Sequence, residues 1–306
     1  MSENAAMINA LSAPLTDWLR EVPPDRPVLI AGPTASGKSG LALALAQAQG
    51  RAIVNADALQ VFGCWRVLTA RPTAEEEAQV PHHLYGQVAC GQDWSVGHWL
   101  RAVADLLRHD PRPVIVGGTG LYFTALTEGL AEIPPTPADV RARADARLAA
   151  EGAAALLAEL DGATAARIDR QNPARIQRAW EVQAATGRGL ADWQDRTGPP
   201  VLPLAAAHPL VLRPDPAWLG ARIDSRFAAM IRGGALDEVR AALPRWAPAA
   251  PWARAIGAPE LVAHLTGGMP LVEAEAQACV ATRQYAKRQR TWFRNRMGHW
   301  PAMELP

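Results

Sequence analysis

Eight consecutive residues, Gly32-Pro33-Thr34-Ala35-Ser36-Gly37-Lys38-Ser39, match the spacing G-x-x-x-x-G-K-[ST]. In that spacing, backbone N–H groups close around phosphate oxygens and a helix N-terminus adds the positive end of its dipole. Lys38 would place its ammonium on the outer phosphates, and the Ser39 hydroxyl would sit on a Mg²⁺. The eight residues are therefore the candidate diphosphate-binding set, and Ser39 is the candidate metal ligand. A nucleoside-triphosphate hydrolase usually has a second apolar strand ending in an Asp that holds the Mg²⁺ shell. Here the best candidate, Pro113-Val114-Ile115-Val116, runs instead into Gly117-Gly118-Thr119-Gly120. The phosphate ligand therefore need not be a hydrolysed nucleotide.

The flanking residues supply the setting such a loop needs. Val28-Leu29-Ile30 reads as a buried parallel strand, and Leu41–Ala46 reads as the start of a helix. Strands continue to alternate with helices to about residue 130, which predicts an α/β fold. It is a P-loop NTPase-like parallel sheet with flanking helices. Asp57 follows the second strand, Ala52–Ala56. Strand C-termini face the ligand crevice in such sheets, so Asp57 can orient a metal or accept a proton there. Thr119 reaches the same crevice from the third strand, with glycines around it that allow close backbone approach; alternatively it caps a helix. Arg222 and Arg226 lie four apart and share a helix face, where two guanidinium forks suit a diphosphate. The competing reading pairs them with Asp224 or Asp237 on a solvated face. His82-His83 has no acidic or Cys partners and predicts no metal.

Sequence character changes along the chain. Residues 1–25 read as an N-terminal extension, and 26–135 as the first part of the α/β core. Residues 136–203, rich in Ala, Arg and Glu and without strand signals, read as an all-helical insertion domain. Residues 204–306 complete the core and end in basic helices. Residues 283–296 hold six basic residues, three aromatics and no acids, so they can neutralise phosphates and stack on unpaired bases, or they can form a terminal helix with its aromatics in the core. The net charge of +1 excludes a uniformly basic coat. Three cysteines, Cys64, Cys90 and Cys279, are odd in number and far apart, which argues against disulfides. No secretory leader or 18-residue apolar span is present, so a soluble, cytoplasmic monomer without membrane contact is expected.

Taken in order, GPTASGKS, NADALQVF, VPHHL, VGGTGLY, NPARIQRAWEV, RAIG and TRQYAKRQRTWFR resemble the tRNA dimethylallyltransferases (tRNA isopentenyltransferases) across residues 27–295. The resemblance implies transfer of a dimethylallyl group from dimethylallyl diphosphate to N6 of the adenosine immediately 3′ of a tRNA anticodon. It makes Asp57, Thr119, Lys38 and Arg222 the catalytic set, with Asp57 as general base and Thr119 and Arg222 on the diphosphate. It places tRNA contacts at Asp57, Ala58, Leu59 and Gln60, at Thr119 and Arg141, at Ala174, Arg175, Ile176, Gln177 and Arg178, and at Arg254, Ala255, Ile256, Gly257, Ala258 and Pro259. The partners implied are a tRNA anticodon stem-loop and dimethylallyl diphosphate, with the helical insertion facing the RNA. The chain departs from the family's usual pattern at Ala58, at Phe62-Gly63-Cys64, at Leu68-Thr69-Ala70-Arg71-Pro72 and at Gly257-Ala258. All of these fall on the RNA-facing side. A small-molecule or nucleotide kinase would share the loop and predict ATP turnover. A non-catalytic RNA-binding module would not need Lys38 and Ser39 intact.

Overall fold

The computed structural model describes residues 13–306. The chain divides into two compact units: one runs to Thr127 and resumes at Val201, and the other is Glu128–Pro200. The first unit begins with α1 (Ala13–Glu21), β1 (Val28–Ala31), α2 (Lys38–Gln49), β2 (Ile53–Asn55), α3 (Ala74–Glu77), β3 (His82–His83), α4 (Val96–His109), β4 (Val114–Gly117) and α5 (Gly120–Glu128). The second unit contains α6 (Ala138–Glu151), α7 (Ala153–Ala158), α8 (Gly162–Arg167), α9 (Pro173–Thr186) and α10 (Leu190–Asp195). The chain then returns with β5 (His208–Pro214), α11 (Pro216–Arg232), α12 (Ala235–Ala242), α13 (Ala258–Leu265), α14 (Leu271–Arg296) and β6 (Ala302–Leu305).

All six strands are parallel, in the order β3-β2-β4-β1-β5-β6. Strands β1 and β4 are buried at every position, as expected for a sheet covered on both faces. Their apolar runs carry no alternation because neither face meets water. Since β4 lies between β2 and β1, the C-terminal ends of these three strands are neighbours. The phosphate loop, the Asp57 turn and the Gly117–Thr119 turn therefore meet at one edge. In the helical unit, Val140, Ala144, Leu156, Leu160, Ile176, Ala179 and Trp180 form a core of their own. Arg147 pairs with Glu151 and Glu159 on its surface.

Several expectations are corrected. The described part of the N-terminal extension carries α1, a helix for which the sequence holds no clear signal, and Leu15 and Val22 are buried in the core. The buried Arg51 fixes the turn behind it by donating to the Pro23 and Arg26 carbonyls, each at 2.6 Å. Residues 1–12 of that expected extension lie outside the described residues. Cys64 and Cys90 form a disulfide, contrary to the reading from cysteine count. A bridge between Phe62 and Val88 lays the two loops side by side, with Gly63 N–H donating to the Val88 carbonyl at 2.8 Å. The sequence reading did not expect β3 and β6, and it left α3, α10 and α13 without assignment.

Candidate active site

The phosphate loop is built by backbone geometry. Gly37 adopts φ +88° immediately before α2, a left-handed conformation that costs a residue with a side chain. The turn aims the first helical N–H groups, which have no intrahelical acceptors, back over the loop. The Ser36 hydroxyl is buried there with no hydrogen-bond partner. Lys38 Nζ donates to the Pro33 carbonyl at 3.3 Å. Burial pushes the Lys38 ammonium down to about 8; Asp57 opposes the shift and Arg226 adds to it.

Two arginines of α11 close the loop from the other side. Arg222 Nε donates to the Ala35 carbonyl at 3.0 Å, and Arg226 donates to the Thr34 hydroxyl. Asp224 pairs instead with Arg283, and Asp237 with Arg240. The face of α11 carrying both arginines therefore points at the loop, as the diphosphate reading requires. Arg222 also lies over the Trp218 ring, 4.7 Å from its centroid.

The Asp57 turn is held as tightly. Asn55 is fully buried. Its side chain accepts from Asp57 N–H at 2.8 Å and donates to the Asp57 and Leu84 carbonyls at 2.9 and 3.0 Å. Asp57 Oδ1 accepts from Leu59 N–H at 2.9 Å. The Thr119 hydroxyl accepts from Ala58 N–H at 2.9 Å.

Two cavities adjoin this edge. The narrower is lined by Asp57, Thr34, Arg226 and Tyr285, with an apolar wall that includes Leu59, Leu68, Ile223, Phe227 and Ile256. The larger, of about 950 Å³, takes in Gly37, Lys38, Ser39, Arg66, Arg71, Arg222 and Arg226. Arg226 and Met230 line both. A carboxylate in an apolar-walled pocket thus stands beside a cationic groove with a phosphate loop. The arrangement suits an apolar group carried on a diphosphate, with a proton acceptor at the apolar end.

The structure brings Gly32 to Ser39, Asp57 and Arg222 to one edge, and places Thr119 behind Ala58. Thr119 is not among the residues lining these two cavities. Of the expected RNA contacts, Leu59 and Ile256 line the narrower cavity, whereas Gln60 donates to the Thr69 and Ala70 carbonyls, both at 2.9 Å. Arg254 and Pro259 are exposed, while Ala255, Gly257 and Ala258 are buried. Within the helical unit, Arg141, Ala174 and Arg175 are exposed and Ile176 is in the core. There Gln177 donates to Asp145 and Glu181, and Arg178 donates to Thr136.

Residues 60–296 match the family model described as IPP transferase, and residues 26–85 match isopentenyl transferase. The chain belongs to the family of tRNA dimethylallyltransferases. A tRNA dimethylallyltransferase of Cereibacter sphaeroides is 68% identical over 295 residues, covering 96% of this chain and 94% of its own. One from Roseobacter denitrificans is 60% identical over 279 residues, covering 91% and 99%. Among solved structures, the full-length tRNA isopentenylpyrophosphate transferase of Bacillus halodurans superposes with a TM-score of 0.64 at 29% identity, covering 92% of this chain and 90% of that one. The family membership and the P-loop-type sheet expected from the motif order are both borne out.

Sequence reasoning missed Asn55 and Gln289 and read Tyr285 only as a base-stacking or core residue. Gln289 is the one amide in the buried stripe of α14 that also holds Ala278, Thr282, Ala286 and Phe293. A buried amide on such a stripe must have partners, and that was the available signal.

Proposed function

We propose that the chain transfers a dimethylallyl group from dimethylallyl diphosphate to N6 of the adenosine immediately 3′ of the anticodon in tRNA. The observation that carries this reading is the Asp57 pocket adjoining the Lys38 groove through Arg226. The diphosphate would lie in the phosphate loop, against the Lys38 ammonium and the Arg222 and Arg226 guanidinium groups. Their charge favours departure of the diphosphate with the electron pair of the breaking C1–O bond. As that bond breaks, N6 forms a bond to C1, and Asp57 accepts the N6 proton. The apolar wall excludes water, which would otherwise compete for the allylic carbon. Taking an unpaired loop base out of its stack costs a few kcal/mol.

Mg²⁺ fits the residues present. Ser39 borders the larger cavity beside Lys38, and Mg²⁺ commonly takes one or two protein oxygens together with phosphate oxygens and waters. Among the described residues no cluster of three His, Cys, Asp or Glu could hold it alone, so the diphosphate would complete the site. Bound there, the ion would neutralise part of the leaving group's charge. No helix among the described residues is long and apolar enough to cross a membrane, and a cytoplasmic reaction on tRNA is in keeping with that.

The test incubates the protein with Mg²⁺, labelled dimethylallyl diphosphate and an anticodon stem-loop, with ATP hydrolysis followed alongside. Label entering the RNA without ATP turnover supports the proposal. ATP turnover with no label in RNA would transfer the site to a kinase.

A further inference from the structure

The basic helix α14 does more than present charge. Gln289 is 5% exposed. Its Oε1 accepts from Thr34 N–H at 2.8 Å, and its Nε2 donates to the Gly118 carbonyl at 2.9 Å. One partner only donates and the other only accepts, so the amide's orientation is fixed by its surroundings. Gly118 leaves it room: a Cβ there would come within 2.2 Å of Gln289 Nε2. One side chain therefore ties the phosphate loop after β1 to the turn after β4. One helical turn earlier, Tyr285 lines the Asp57 cavity. The opposite face of the same helix exposes Arg283, Lys287, Arg288 and Arg294.

We infer that Gln289 is a positioning residue that couples RNA docking on the outer face of α14 to diphosphate binding in the loop. The inference rests on the proposed donor reading. Thr34 N–H is engaged by Gln289 and its hydroxyl by Arg226, so Thr34 serves the shape of the loop. A load on the outer face of α14 reaches the loop through Gln289 and the Asp57 cavity through Tyr285. Two ligands that each favour the same setting of this helix must strengthen one another, and the coupling is reciprocal.

The test measures binding of inorganic pyrophosphate with Mg²⁺ by calorimetry, with and without an anticodon stem-loop, for the wild type, Gln289→Leu and Gln289→Glu. In the wild type the stem-loop should tighten pyrophosphate binding about fivefold or more. Gln289→Leu loses both bonds and should bind pyrophosphate about tenfold more weakly, with the coupling gone and stem-loop affinity kept. Gln289→Glu keeps the acceptor for Thr34 N–H, loses the donor to Gly118, and should fall between the two. It also serves if the leucine variant does not fold. Unchanged pyrophosphate affinity and coupling in the variants would overturn the inference. So would parallel loss of pyrophosphate and stem-loop binding in both variants. Failure of the wild type to bind pyrophosphate would instead remove the donor reading.

Discussion

The Thr119 hydroxyl accepts the Ala58 N–H at 2.9 Å, joining the turn after β4 to the residue that follows Asp57. The turn that carries Asp57 is thus held by a neighbouring strand end as well as by its own hydrogen bonds. Thr119→Val keeps the shape and removes the acceptor, leaving a half-buried N–H without its partner, at about 1–3 kcal/mol. Single-turnover transfer should fall about tenfold or more, while Thr119→Ser should retain most of it. Equal rates for the valine variant and the wild type would show that Asp57 needs no such support.

Asp57→Asn keeps an oxygen for Leu59 N–H but cannot take a proton from N6. Thermal stability should change little, and the chemical step should slow by about 10²–10⁴. Near-normal single-turnover rates would remove Asp57 as the base.

Lys38 carries a pH dependence. Burial lowers its folded-state value to about 8 from 10.5. Between those values the unfolded chain holds the extra proton, so Lys38 makes stability rise with pH across that window. Diphosphate binding needs the ammonium and has the opposite trend. Pyrophosphate affinity should decline above about pH 8, by up to about tenfold per unit. Lys38→Met should bind weakly at every pH, without that decline, and should keep its stem-loop affinity. A wild-type profile flat to about pH 9.5 would contradict the role given to the ammonium.

Cys64 and Cys90 close a loop with a sequence separation of 26. In the chain-entropy account such a link contributes about 3–4 kcal/mol. Reducing agent should lower the melting temperature of the wild type and leave the Cys64→Ser/Cys90→Ser variant unmoved. Identical melting in both, with and without reductant, would show that the pair is not linked in solution.

Much of the site was legible because its signals are local. The G-x-x-x-x-G-K-[ST] spacing lies between a four-residue apolar run and an Ala/Leu helix, and Asp57 follows a strand directly. What was not legible depends on partners distant in sequence. The two residues of β3 and the four of β6 carry little propensity of their own, and they are strands because β2 and β5 offer edges to pair with. Cys64 meets Cys90 only because Phe62 lies beside Val88. Gln289 lies 255 residues from Thr34 and 171 from Gly118, so its role exists only in the folded chain. For Arg222 and Arg226 the sequence alone favoured a solvated face, because the Ala35 carbonyl and Thr34 hydroxyl they reach lie 187 and 192 residues away in the chain.

The most direct measurement locates the transferred group. A stem-loop treated with the protein, Mg²⁺ and labelled dimethylallyl diphosphate is digested to nucleosides, and the labelled nucleoside is identified. The account predicts label on N6 of the adenosine immediately 3′ of the anticodon, and none when that adenosine is replaced. Label on another nucleoside, or none with the wild-type stem-loop, would contradict it.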